Sequence, residues 1–252
     1  VSALLVGGRT FHSFFGLGIM QGDPAQIVKK AVSNRNVRYR LRQAQCVVVD
    51  EVSMLPSQAL DIAEEIARVA RDDDAPWGGL RMIMVGDFAQ LPPVSQGFQR
   101  PWAFLSPSWS RMAPVPVILE EQMRTSSDTF LRVLSQIRMG ILDDEVKAFL
   151  SERAHLPYDF QGTRLYPTRK QAEDHNHMRL SQAMGEVTSI QTIYSGKPAR
   201  MEAMKKHAPI PEILHLKLGA KVMIRINDPI LRFVNGSVGR VARIEKDKIT
   251  VE

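Results

Sequence analysis

The sequence predicts an α/β fold in which helices flank a parallel sheet and a smaller β-rich segment follows. Two apolar runs, Cys46–Val49 and Leu80–Val85, have the length and composition of parallel strands buried on both faces. The stretch between them repeats apolar residues at helical spacing, which makes a strand, helix, strand unit. From Leu214 onwards the pattern changes to alternating, short β-rich runs.

Composition supports a folded chain with a basic balance of charge. The 252 residues are 44% apolar, which is enough for a substantial core. The 33 Lys and Arg residues exceed the 27 Asp and Glu residues and give a net charge of +6. This excess is compatible with a polyanionic partner, although many basic proteins bind no nucleic acid.

Cysteine usage and hydropathy favour a reducing, aqueous environment. Cys46 is the single cysteine, so it has no partner for an internal disulfide, and its apolar surroundings favour a buried side chain. No window approaches the ~18 apolar residues of a membrane span, and no secretory leader opens the chain. We expect a soluble intracellular protein with no membrane partner, nuclear or mitochondrial in a eukaryote and cytoplasmic in a bacterium.

The remaining elements follow in chain order. Val115–Leu119 predicts a further strand, placed at an edge or early because Pro116 has no N–H to donate. Phe130–Ile137 predicts a helix that Gly140 ends, and another helix is expected after Asp143 and Asp144.

The second half of the chain begins a new unit. Thr163–Pro167 predicts a strand, and a helix is expected from about Lys170 to Ala183. Asn235-Gly236 indicates a hairpin, and Lys246–Lys248 indicates another turn. We expect a first domain over residues 1–125, a helical connection over 126–162 and a second domain over 163–252, β-rich from about 214.

Acidic residues follow both predicted strands of the first unit. Asp50 and Glu51 come directly after the first strand, and Asp87 follows the second. Because ligands of open α/β sheets bind beyond the carboxyl ends of the strands, these carboxylates should face one crevice. Asp50 would hold Mg²⁺ and Glu51 would activate water, as phosphoryl transfer requires. The alternative is that these strands simply end in polar residues.

The loop Gly86–Val94 adds an amide to the same crevice. Gln90 lies just before Pro92 and Pro93, which stiffen the backbone. A glutamine held in this way can hydrogen-bond a terminal phosphate and register its loss. An ordinary loop glutamine beside a proline turn is the alternative.

Several segments, taken together, resemble a known family: Gly7–Gly16, Val48–Leu55, Leu60–Gly79, Gly86–Val94, Leu165–Thr168 with Asn176, and Val234–Ser237. Val48–Leu55 resembles the Walker B motif of Pif-family DNA helicases, and Gly86–Val94 resembles the motif that follows it. Leu60–Gly79 is similar to a connecting signature peculiar to that family. The likeness covers the whole chain in the family's order.

The resemblance implies a superfamily-one motor that uses ATP and Mg²⁺ to move 5′ to 3′ on single-stranded DNA. It implies RecA-like folds for the first domain and, in part, the second. Single-stranded and forked or duplex DNA would be its partners, in DNA repair, recombination or telomere maintenance, and it would work as a monomer. Asp87 would belong to the nucleotide site of such a motor.

The resemblance also implies roles for individual residues. Thr10, His12 and Ser13 would contact the DNA backbone or bases, and an aromatic ring such as that of Phe14 would stack on a base. Core packing is the alternative for the aromatic residues and for His12. Arg124 would reach the γ-phosphate, although the following residue departs from the family pattern, and a surface ion pair is its alternative.

Basic residues before the first strand have a simpler interpretation. Arg38, Arg40 and Arg42 are expected to form a solvated face, and an approach to phosphate is the alternative.

No G-x-x-x-x-G-K-[ST] phosphate loop occurs in these residues, so we expect the chain to be a fragment that is nearly inert alone. Three alternatives stay open: a RecD-like or relaxase-type helicase, a non-catalytic remnant that binds nucleic acid, and a metal-dependent nuclease built on Asp50, Glu51 and Asp87.

Overall fold

The computed structural model describes residues 7–94, 101–123, 125–154, 163–196, 198–208, 210–228, 230 and 232–252. The chain divides into two compact units, with the boundary along the sequence at about residue 157. None of the helices in these ranges is long and apolar enough to cross a membrane.

The first unit contains helices and a pair of strands in this order: α1 (Phe11–Phe15), α2 (Pro24–Ser33), α3 (Arg35–Gln43), β1 (Cys46–Val49), α4 (Ser57–Arg71), β2 (Arg81–Met84), α5 (Pro107–Met112), α6 (Asp128–Arg138) and α7 (Asp144–Ala154). Short 3₁₀ turns lie at Val52–Met54, Pro76–Gly79 and Ala103–Leu105.

The predicted strand, helix, strand unit is confirmed. β1 pairs in parallel with β2, and Val49 lies opposite Met84. α4 crosses between them and buries an almost continuous apolar face, which includes Leu60, Ala63 and Ile66. Since this face packs on the sheet and on α2 and α3, α4 is the centre of the core.

The expectation that both strands are buried on two faces was wrong. Val49 is 5% exposed, whereas its neighbour Val48 is 62% exposed and Ile83 is 39% exposed. Successive side chains of a strand point to opposite faces, so α4 covers only one of them. Cys46 is also exposed, against expectation, because it lies at the open start of β1.

The expected strand at Val115–Leu119 does not form. Val117 and Leu119 are more than 80% exposed, and no described strand pairs with this segment. An apolar run becomes a strand only when a neighbour accepts its hydrogen bonds, and Pro116 has no N–H to donate.

The helices expected after this segment are confirmed. α6 ends at Arg138, and Gly140 follows with a φ of +74°. At the start of α7, the carboxylate of Asp143 accepts a hydrogen bond from the N–H of Val146 at 2.9 Å.

The second unit contains helices and short strands in this order: α8 (Arg169–Gln182), β3 (Thr188–Gln191), α9 (Pro198–His207), β4 (Ile213–Leu216), β5 (Lys221–Met223), β6 (Val238–Ile244) and β7 (Ile249–Val251). β3 pairs antiparallel with β4, and β5, β6 and β7 form an antiparallel sheet.

The β-rich texture predicted from about residue 214 is therefore confirmed, as is the turn at Lys246–Lys248 between β6 and β7. The helix predicted over residues 170–183 is also confirmed, and Thr168 caps it by accepting the N–H of Gln171 at 3.3 Å. The strand predicted at Thr163–Pro167 was wrong: the segment lacks a described partner strand, and Leu165 is 94% exposed.

Candidate functional site

Asp50 and Glu51 stand at the carboxyl end of β1, and both are exposed. The carboxylate of Asp50 accepts the N–H of Glu51 at 3.0 Å. Glu51 has a φ of +54° and a ψ of +43°, which is the left-handed conformation that residues with a Cβ rarely adopt. Such strain costs about 1–2 kcal/mol and is characteristic of functional positions. The surrounding fold holds this turn and turns the chain sharply after Asp50.

The chain that leaves β2 touches this turn directly. Val85 donates its N–H to the carbonyl of Val49 at 2.8 Å, and Val52 donates to the carbonyl of Val85 at 3.0 Å. At Gly86 a Cβ would lie 3.0 Å from the backbone nitrogen of Val52, so glycine permits the approach. The two loops predicted to share a crevice therefore lie side by side.

Asp87 organises the loop that carries Gln90. One carboxylate oxygen accepts the N–H of Ala89 at 3.0 Å, and the other accepts the side-chain amide of Gln90 at 3.2 Å. Arg138, at the end of α6, forms an ion pair with the same carboxylate. Hydrogen bonding from Arg138 lowers the pKa of Asp87 from 3.8 to about 2, so its carboxylate is ionised at neutral pH.

Aromatic packing fixes the other side of this loop. Phe88 contacts the rings of Trp102, Phe104 and Trp109 with edge-to-face geometry, at centroid distances of 6.0, 4.9 and 5.8 Å. Pro93 is fully buried. Since Phe88 and Pro93 bracket Gln90, this exposed glutamine lies on a loop that is packed at both ends.

The segment predicted to contact DNA forms α1. Thr10 caps it by accepting the N–H of Ser13 on its hydroxyl oxygen at 3.3 Å, and both residues are exposed. His12 and Phe14 are half-buried. Phe15 is fully buried, so the core reading holds for that ring. Thr10 and Ser13 are therefore accessible on α1, whereas His12 is only partly so.

The segment Leu60–Gly79 packs against α1 through the side chain of Trp77. Phe15 contacts Trp77 at 5.6 Å between ring centroids, and Trp77 is 1% exposed. Trp77 and Gly78 both have positive φ, which lets the tight Pro76–Gly79 turn place the indole under α1. Arg71 donates to the carbonyl of Gly78 at 2.5 Å and fixes this turn to α4.

The donors at the sheet edge suit Mg²⁺ in chemistry. Mg²⁺ is usually held by one or two carboxylates together with phosphate and water oxygens. Asp50 supplies an accessible carboxylate at the strand end. Among the described residues, no three potential metal ligands lie together.

The remaining residues named from the sequence are arginines. Arg124 lies outside the described residues. The expectation of a solvated basic face was wrong in part: Arg38 is exposed, but Arg40 and Arg42 donate to backbone carbonyls of other elements. Sequence reasoning missed Arg138, because 51 residues separate it from Asp87 and no local pattern links them.

Comparison with known proteins places the chain in a family. The model of the PIF1-like helicase family matches residues 1–148. The chain belongs to the PIF1-like helicase family. Its fold is RecA-like α/β, as the family likeness of the motifs predicted, and the family is one of ATP-dependent DNA helicases.

Two curated relatives show how far the likeness extends. The ATP-dependent DNA helicase Pif1 of Bdellovibrio bacteriovorus is 45% identical over 99% of this chain, which covers 57% of that protein. The human ATP-dependent DNA helicase PIF1 is 35% identical over 98% of the chain, which covers 39% of that protein. The chain thus spans about half, or less, of the length of the curated relatives it matches.

Solved structures of Pif1 helicases are also similar to this chain over nearly its whole length. The crystal structure of the Candida albicans Pif1 helicase matches with a TM-score of 0.83 and 30% identity, covering 96% of this chain and 56% of that one. The Bacteroides Pif1 helicase in complex with ADP-AlF3 and single-stranded DNA matches with a TM-score of 0.72 and 23% identity, covering all of this chain and 60% of that one. At 23% identity, this second match shows a shared fold alone.

Proposed function

We propose that the complete protein is an ATP-dependent 5′-to-3′ DNA helicase that couples ATP hydrolysis to movement on single-stranded DNA and unwinding of forked or duplex DNA. The observation that carries the proposal is the meeting of two loops at the carboxyl edge of β1 and β2: Asp50 and Glu51 on one, Asp87 and Gln90 on the other. The Bdellovibrio bacteriovorus protein named ATP-dependent DNA helicase Pif1 matches 99% of the chain, including both loops.

Each residue of the edge has a role in hydrolysis. Asp50 would hold hydrated Mg²⁺, which when bound offsets negative charge on the phosphates. Glu51 accepts a proton from the attacking water, and its strained backbone keeps its carboxylate beyond the end of β1. Gln90 hydrogen-bonds the terminal phosphate while Asp87 keeps its loop in place. Arg124 offsets charge that develops during transfer.

DNA would lie along the exposed side of α1. Thr10 and Ser13 offer hydroxyl groups, and His12 offers a ring nitrogen. Half-buried Phe14 can present one edge of its ring to a base. The net charge of +6 favours the approach of a polyanion. We further propose that the protein works as a monomer in DNA repair, recombination or telomere maintenance. Its compartment would be the nucleus or mitochondrion in a eukaryote and the cytoplasm in a bacterium.

The decisive experiment measures DNA-stimulated ATPase activity of the complete protein and of Glu51→Gln. Loss of the general base should lower kcat by about 10² or more while ATP still binds. Glu152→Gln is the matched control, because Glu152 is an exposed carboxylate on α7 far along the chain. Equal kcat in Glu51→Gln and the wild type would contradict the proposal.

A second measurement separates the motor from a nuclease. Residues 1–252 alone contain no phosphate loop and should hydrolyse ATP at background rates, with or without single-stranded DNA. Rapid turnover by this isolated chain would contradict the assignment of roles. DNA cleavage that needs Mg²⁺ but not ATP would favour the nuclease alternative.

A further inference from the structure

Arg40 of α3 bonds to the backbone of α1 across a large separation in sequence. Its Nε donates to the carbonyl oxygen of Phe14 at 2.6 Å, and its Nη2 donates to that of Ser13 at 2.5 Å. These carbonyls belong to the last turn of α1, where a helix has no internal donors for them. The guanidinium also lies 5.7 Å from the ring centroid of Phe14. One side chain thus satisfies two carbonyls and covers one ring.

α1 depends on such contacts because it is only five residues long. A helix of this length is unstable by itself, so its orientation comes from what it packs against. Phe15 anchors one side on Trp77. At Gly16 a Cβ would lie 2.9 Å from a methyl group of Val37, which brings the end of α1 against α3. Arg40 then fixes the last turn, next to the exposed hydroxyl of Ser13.

The position of Arg40 has an electrostatic cost. Burial, and secondarily the positive charge of Arg9, lowers the pKa of Arg40 below its ordinary value. Two hydrogen bonds from a charged donor to carbonyls offset such a cost. Nε and Nη2 are therefore committed to α1, which leaves them unsuited to gripping a phosphate.

We propose that Arg40 is a positioning residue for single-stranded DNA: it fixes α1 through the Ser13 and Phe14 carbonyls and does not itself grip a phosphate. The inference rests on the proposed role of α1 as a DNA-contacting segment. Arg40 lies outside the Gly7–Gly16 motif, and it would affect DNA binding only through its hydrogen bonds to the backbone of α1.

The test measures binding of fluorescent oligo(dT) to the complete protein by anisotropy over a series of salt concentrations. Arg40→Met should weaken binding about tenfold, as expected when charge-assisted hydrogen bonds no longer support a site. The slope of log affinity against log salt should stay the same, because no phosphate contact is lost. A direct phosphate contact would instead reduce the slope by about 0.7.

Two further variants control for charge and folding. Arg38→Met removes the same charge from an exposed position of α3 and should change affinity by about twofold or less. Arg40→Lys keeps the charge but cannot donate in the same forked geometry, so it should restore part of the affinity at the wild-type slope. If Arg40→Met fails to fold, Arg40→Gln, which removes the charge but keeps a polar hydrogen-bond donor, decides by the same two readouts.

Each result supports or overturns the inference. A slope reduced by about 0.7 in Arg40→Met would make Arg40 a phosphate ligand and overturn it. Equal affinities of Arg40→Met and Arg38→Met, or an Arg40→Lys variant no weaker than wild type, would overturn it as well. Failure of the wild type to bind oligo(dT) would instead overturn the proposed function of α1.

Discussion

Gly78 decides how the signature segment reaches α1. Its φ is +62°, and a Cβ there would lie 2.8 Å from the carbonyl oxygen of Ala67. Only glycine meets both requirements without strain. The turn that it permits places Trp77 beneath Phe15. Gly78 therefore helps to hold α1, the candidate DNA-contacting helix, in its position.

Replacing Gly78 with alanine should destabilise the protein by about 2–4 kcal/mol, from the left-handed backbone together with the close approach. Gly140→Ala is the matched control, because Gly140 has a φ of +74° but nothing within 4 Å of the added Cβ. It should cost only about 1 kcal/mol. Urea unfolding of both variants measures the difference, and equal losses would contradict the packing argument.

Between elements, the ion pair of Arg138 and Asp87 ties α6 to the loop of Gln90. Asp87 bonds the backbone of Ala89 and the amide of Gln90 with the carboxylate that Arg138 neutralises. We therefore expect a change at the end of α6 to affect Gln90, the group proposed to sense the terminal phosphate. The same pair makes stability depend on pH, because it lowers the pKa of Asp87.

The sign of that dependence follows from the direction of the shift. A lowered pKa stabilises the fold above the ordinary value of 3.8, and this contribution is lost as pH falls from 3.8 toward about 2. Arg138→Met should therefore be less stable than wild type at neutral pH, with the difference shrinking over that window. Urea midpoints at several pH values check this.

The same variant should lower kcat about tenfold with little change in KM for ATP, since misplacing a catalytic group by 1 Å can cost ~10². Arg132→Met is the control, because Arg132 is on the same helix and pairs with Glu145 instead. Matching kinetics and matching pH profiles in the two variants would show that Asp87 does not transmit the effect.

Within the described residues of the 252-residue chain, the parallel sheet has one covered and one exposed face. Val49 is 5% exposed and Val48 is 62% exposed, although they are neighbours in β1. The segment Val115–Leu119 adds further exposed apolar side chains. The 252-residue chain should therefore bind a hydrophobic dye more strongly than a protein of its size with all sheet faces covered.

A pair of isosteric substitutions tests this asymmetry in the 252-residue chain. Val49→Thr buries a hydroxyl and should cost about 1–3 kcal/mol. Val48→Thr should change stability by less than about 0.5 kcal/mol and should lower dye binding. Unfolding curves and dye fluorescence measure the two effects, and equal destabilisation by both substitutions would contradict the open face.

Much of this architecture could be predicted because its causes are local. The helical spacing of Leu60, Ala63 and Ile66 predicted α4. Because Asp50 and Asp87 each follow an apolar run, the sequence also predicted that both lie at the carboxyl edge of the sheet. Motif order predicted the family, which is confirmed. The first two signals are contained within a few residues of the feature they predict, and the third is the order of such short motifs along the chain.

What the sequence could not determine depended on neighbours. Val115–Leu119 has the composition of a strand but no described strand beside it, and Cys46 lies in an apolar run yet is exposed. Arg138 and Arg40 gained their roles from residues 51 and 26 or 27 positions away. The sequence by itself determined most of the helices, the strand, helix, strand unit, the chemical groups at the sheet edge and the family, because propensity and spacing act locally. Only the tertiary structure decided which faces are covered and which cations fix the loops, because burial and long-range hydrogen bonds depend on how the chain packs.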